Sequence, residues 1–98
     1  MIVHVSAQGA RLDAPEDLKG FKLLVTDGLQ GEALARALGS AGTLEDEHAW
    51  ISPDWLRQAS GRAGDAAWTQ GFEGMLAYAT KKGWVNRDGA IRGHIERA

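Results

Sequence analysis

The stretch Asp65-Ala66-Ala67-Trp68-Thr69-Gln70-Gly71-Phe72-Glu73-Gly74-Met75-Leu76-Ala77-Tyr78-Ala79-Thr80-Lys81-Lys82-Gly83 decides how the chain is read. Trp68, Phe72, Met75, Leu76 and Ala79 recur at helical spacing and fall within about 100° of arc, an apolar face that another element must cover. Asp65 stands where an N-cap accepts from the first-turn amides. Lys81 and Lys82 suit the negative end of the helix dipole, and Gly83 is a stop. Beside the apolar face runs a thinner stripe, Gly71, Gly74 and Tyr78, along which a neighbour can approach closely.

Immediately upstream, Ser52-Pro53-Asp54 marks another helix start: an N-cap hydroxyl, a proline at the first helical position and a carboxylate at the positive end of the dipole. Ile51 and Leu56 have the spacing of a hydrophobic staple, and Gly61 keeps this helix short. A further helix is predicted after Asp27, whose spacing to Gln30 resembles a loose capping box. Leu29, Ala33, Leu34, Ala37, Leu38 and Ala41 form its stripe, and Gly39 or Gly42 ends it.

The sheet these helices need is predicted from alternation. Val3, Val5 and Ala7 share one face of a strand over 2–7, with Ile2, His4 and Ser6 opposite; Phe21, Leu23 and Val25 share a face of a second strand. Between them, Gly9, Pro15 and Gly20 punctuate a loop in which Asp13 caps one helical turn. Residues 43–51 read as an extended segment ending in a short strand at 48–51. The tail turns at Asn86-Arg87-Asp88-Gly89, then puts Ile91, Gly93 and Ile95 on one face and Arg92, His94 and Glu96 on the other. The expectation is one α+β domain over 1–98: a small mixed or antiparallel sheet of three to four strands, packed by two longer helices and one short one.

The size fits a single domain. In 98 residues there are 16 Ala and 13 Gly, leaving 27 larger apolar side chains, enough for one modest core if the stripes at 29–41 and 68–79 pack on the same sheet. The absence of cysteine excludes disulfides, thiolate metal sites and a thiol nucleophile. The longest run of large apolar residues, Leu23-Leu24-Val25, is far short of a membrane span, and residues 1–5 lack the pattern of a signal peptide, so a soluble, cytoplasmic protein is expected.

Eleven basic against 13 acidic residues give no broad phosphate-binding field, which argues against nucleic acid as partner. The charge is split, however. Residues 1–54 carry nine acids and four bases, and residues 55–98 carry four acids and seven bases. Two copies pairing acidic half to basic half would use this asymmetry.

Candidate chemistry is sparse. His4, His48 and His94 lie on three different predicted strands and lack the local spacing of a metal-binding pair, so no metal and no cofactor are expected. If residues 46–50 are one strand, Asp46, His48 and Trp50 share a face, and the carboxylate would orient the imidazole as a general base does; an acidic solvated loop is the commoner behaviour of such a run. Gly28 and Gly31 suggest an anion-binding helix start, but no lysine follows and Asp27 stands where the anion would sit. No serine lies in a G-x-S-x-G elbow.

Two short resemblances remain. Pro15-Glu16-Asp17-Leu18-Lys19-Gly20 before a strand resembles the P-E-D-L-K-G lead-in of periplasmic solute-binding proteins, over about a tenth of the chain, and no function is carried over from it. The hairpin at 84–95, with Arg87 and Arg92, resembles the end of a winged helix, but the helix before it is too poor in bases for DNA reading. The leading expectation is a small binding protein acting as a homodimer, with Gly71, Gly74, Tyr78 and Trp84 at the interface. The alternative is a small ligand-binding protein or enzyme using His48 and Asp46 beside Trp50.

Overall fold

The computed structural model describes all residues, Met1–Ala98. It is an α+β fold, with the elements β1 (Ile2–Ser6), β2 (Gly9–Asp13), β3 (Lys22–Val25), α1 (Gly31–Leu38), a 3-10 turn (Gly39–Ala41), β4 (Gly42–Glu45), β5 (His48–Ile51), α2 (Pro53–Ser60), α3 (Ala66–Lys81) and β6 (Ile91–Arg97). No helix is long and apolar enough to cross a membrane.

The sheet has six strands rather than the expected three to four, in the order β2-β1-β3-β6-β5-β4. It is mixed: β1–β3 and β3–β6 are parallel, and the other three pairings are antiparallel. The two extra strands are β2 and β4, each the outer half of a tight hairpin. Ser6 pairs with Gly9 across Ala7-Gln8, and Gly9 takes a φ of 116° that side chains rarely adopt. Asp13 therefore ends a strand and caps no helix. In the second hairpin Glu45 pairs with His48, so Asp46-Glu47 is the turn and the acidic run is the tip of a hairpin.

Alternation sorts the side chains as expected wherever a strand was recognised. Val3, Val5, Leu23, Val25, Ala49, Ile51 and Ile91 are buried on the inner face. α3 lies over this face and buries Trp68, Phe72 and Ala79. The Trp68 and Phe72 rings stack at 4.9 Å, and the Trp68 indole donates to the Pro15 carbonyl at 2.7 Å. α1 and the 3-10 turn pack against β2, as does α2, and α1 also reaches β4, so the helices bridge the two edge strands.

The helix starts agree in two cases of three. Ser52 Oγ accepts from Trp55 N–H at 3.2 Å, Pro53 is the first residue of α2, and Ile51 and Leu56 are fully buried as a staple. Asp65 Oδ1 accepts from Trp68 N–H at 3.0 Å. Asp27 does not cap: it adopts a left-handed φ of 60°, and its carboxylate accepts from Ala7 N–H across the sheet at 2.8 Å. α1 accordingly starts later, at Gly31, with Gln30 as an N-cap that makes no side-chain bond.

Gly42, the first residue of β4, faces Ile51 so closely that an added Cβ would overlap the Trp50 carbonyl oxygen. Gly42→Ala should therefore lower unfolding free energy by about 1–3 kcal/mol, as overpacking against backbone does. Ser52→Ala should cost about 1 kcal/mol through loss of the cap. Urea unfolding of the two variants beside the parent chain measures both.

Candidate functional site

The site follows from the register of β6. This strand pairs with β3 only from His94 onward, where His94 meets Lys22. Towards its start its neighbour on that side is instead the segment after α3: Val85 bridges Ile91, and Arg92 N–H donates to the Trp84 carbonyl at 2.8 Å. The change of partner falls at Gly93, and a cleft of about 670 Å³ opens beside it.

Three parts of the chain build its walls. α3 contributes Gly74, Met75, Tyr78 and Ala79; the 18–21 segment contributes Leu18, Lys19, Gly20 and Phe21. β5 and β6 add His48, Ile91, Arg92 and His94, and Trp84 closes the end beside the helix stop. No carboxylate lines the cleft.

Trp84 is held by the end of α3. Gly83 takes a φ of 81°, its N–H bonds the Thr80 carbonyl at 3.1 Å, and Trp84 N–H bonds the Ala79 carbonyl at 2.8 Å. This is the paired hydrogen-bond pattern of a Schellman stop, with Trp84 at the position where such stops commonly carry an apolar residue. The indole meets Tyr78 edge-to-face at 6.0 Å, and Lys82 Nζ stands 5.5 Å from the Tyr78 ring centre. Tyr78 and Trp84 are the two exposed large hydrophobic side chains of the protein, 56% and 38% accessible.

His48 and His94 face each other across β5 and β6, with ring centres 6.4 Å apart. Ile95 N–H donates to the Glu47 carbonyl, which makes His48–His94 a non-hydrogen-bonded pair, the kind in which opposed side chains stand closest. His4 is elsewhere: its Nε2 lies 3.0 Å from Thr26 Oγ1 and its Nδ1 3.7 Å from Asp13. The three histidines do not converge, and no group of three or more His, Asp or Glu side chains is placed to hold a metal.

The other candidate residues separate. Asp46 occupies the hairpin turn with a left-handed φ of 54° and is exposed, so the strand alternation that would put it beside His48 ends at His48 itself. Trp50 shares the outer face with His48, yet its indole donates to Glu45 at 3.1 Å and it borders a different, largely polar depression. Gly71 is covered by Leu18 of the same chain, whereas a Cβ at Gly74 would meet nothing within 4 Å. Sequence reasoning thus reached His48, Gly74, Tyr78 and Trp84 but left out Leu18, Phe21, Met75, Arg92 and His94. The signal for Arg92 and His94 was present in the β6 alternation. Nothing local ties Phe21 to Met75, because only the fold brings them together.

Comparison with known proteins finds no matching family model, no significant match among curated proteins and none among solved structures.

The two α3 glycines differ in a measurable way. Gly74→Ala should stabilise the protein by about 0.5–1 kcal/mol, the usual gain for removing a helix-interior glycine where space is free. Gly71→Ala should give less, because Leu18 must rotate away from the new methyl. Paired melting curves test the order of the two.

Proposed function

We propose that the protein binds a small molecule in the cleft between the end of α3, the 18–21 segment and the start of β6. One observation carries this reading. A cleft of about 670 Å³ combines an apolar lining of Phe21, Met75, Tyr78, Trp84 and Ile91 with a few polar groups, Lys19, His48, Arg92 and His94. Small-molecule sites typically have this composition, with volumes of roughly 300–1,000 Å³. The backbone at one wall is held in advance: Trp84 N–H bonds the Ala79 carbonyl at the helix stop, and the Trp84 carbonyl accepts from Arg92 N–H. Such preorganisation lowers the entropy lost on binding. Acid–base chemistry by His48 and Asp46 has no support from the geometry, since Asp46 sits in the hairpin turn.

The exposed Tyr78–Trp84 pair favours a second reading, a homodimer in which a second copy covers this rim. The same surface serves either role, and mass distinguishes them. Sedimentation at micromolar concentration should give a 10.5 kDa species if the cleft is open, and twice that mass if it is the dimer contact.

The binding reading is tested with N-phenyl-1-naphthylamine, a neutral, flat apolar dye. Its fluorescence should rise saturably with one dye per chain. Trp84→Ala should weaken binding about tenfold, the loss of about 1.4 kcal/mol expected for a partly buried aromatic wall. Linear, unsaturable enhancement up to about 100 μM, corresponding to less than about 5.5 kcal/mol of binding free energy, would remove the support for a ligand site here.

A further inference from the structure

We infer that the ligand of this cleft is an anion: a flat, mostly apolar body carrying one carboxylate, sulfonate or phosphate group, held on the Arg92 side. The inference rests on the binding reading above and specifies the chemistry of its ligand.

Charge supplies the first argument. Arg11, Lys22, Arg36, Arg57 and Arg62 each pair with a carboxylate, and the Arg97 guanidinium donates to the Leu29 carbonyl. The bases whose side chains have neither a carboxylate nor a hydrogen-bond partner are Lys19, Lys81, Lys82, Arg87 and Arg92. Lys19 and Arg92 line the cleft, Lys82 stands over Tyr78 at its rim, and no carboxylate faces inward to neutralise them. A basic, acid-free wall set against apolar surface is a poor site for a cation and a suitable one for an anion. A guanidinium offers a carboxylate or phosphate two parallel donors.

Position supplies the second argument. Of the cleft's lining, Trp84, Tyr78 and Met75 come from α3 and its C-terminal stop, whereas Arg92, His94 and His48 come from the sheet. The negative end of the helix dipole disfavours an anion beside α3, and the Schellman bonds already occupy the Ala79 and Thr80 carbonyls. The flat body therefore belongs against the rings and the anionic group against β6. There Arg92 and His94 project from the same face of one strand, and His48 projects beside them from its neighbour.

The test is a matched pair of probes. 1-Anilinonaphthalene-8-sulfonate carries the same ring system as N-phenyl-1-naphthylamine, with a sulfonate added. On the full chain the sulfonate dye should bind about tenfold tighter than the neutral one, a difference that shrinks as salt is raised. Arg92→Gln should remove most of that advantage, costing the sulfonate dye several-fold more affinity than the neutral one, because the charge-assisted contact is lost. Lys19→Gln should act in the same direction. Trp84→Ala should weaken both dyes, which places them in the cleft. If both dyes bind equally, or Arg92→Gln weakens them alike, the anion inference is overturned while the binding reading stands. If neither dye binds, the binding reading itself falls.

Discussion

β6 joins two sheet fragments that would otherwise be separate. The β1–β2 hairpin with β3 forms one, and the β4–β5 hairpin forms the other; the last strand inserts between them, pairing parallel to β3 and antiparallel to β5. A single residue, His94, is opposite Lys22 on one side and His48 on the other. Its neighbour Gly93 permits this. Phe21 and Leu23 lie over the inner face of β6 at Gly93, where an added Cβ would come within 2.5 Å of Leu23 and 3.1 Å of Phe21. A larger residue would push the β3 side of the core away from β6, and the sheet could not close over Phe72 with the same side chains.

The cleft is a consequence of that insertion. β6 outruns β3 by Ile91–Gly93, and the chain leaving α3 supplies a substitute neighbour at Val85. The substitute is brief, because Asn86 turns the chain at once. Its Oδ1 accepts from Asp88 and Ala90 N–H, and its own N–H bonds the Ala90 carbonyl. Between this hairpin and the start of β3 the sheet changes partner, and the side chains around the junction are left facing open space. Satisfying the backbone of the last strand and leaving a lined cavity beside it are thus the same structural event.

The parts of the fold visible in the sequence are those where one local effect dominates. β1, β3 and β6 alternate cleanly, α2 has its proline and N-cap, and α3 has a long apolar stripe with a cap at one end and a glycine at the other. The missed strands, β2 and β4, are each short and begin at a glycine, and each neighbours a stretch whose composition suggests something else. Asp13 reads as a helix cap, yet its carboxylate pairs with Arg11 at 3.2 Å along the strand. Glu45-Asp46-Glu47 reads as a solvated run, yet the pairing of Glu45 with His48 needs only two of those residues as a turn. The mistaken cap at Asp27 has the same origin, because a carboxylate able to cap a helix can equally accept from Ala7, 20 residues away in sequence. Local spacing carries no information about which acceptor will be nearer.

The candidate site was less legible because its defining property is a sum over distant segments. Gly74, Tyr78 and Trp84 stand out locally as a small residue and two rings without an assigned core position, and His48 as one of three histidines. What makes them a site is the arrival of Phe21 from one segment and Arg92 from another, together with the absence of any acid among them. Two further features fit the proposed binding role. The Tyr78–Trp84 pair stays exposed although Trp84 is held by well-formed backbone hydrogen bonds, and Gly74 leaves unfilled a helix position where alanine would fit and favour the helix. The helix-interior glycine costs stability in the free protein. It lies on the same cleft as the exposed rings and the unpartnered bases, three features that an anionic ligand with an apolar body would use together.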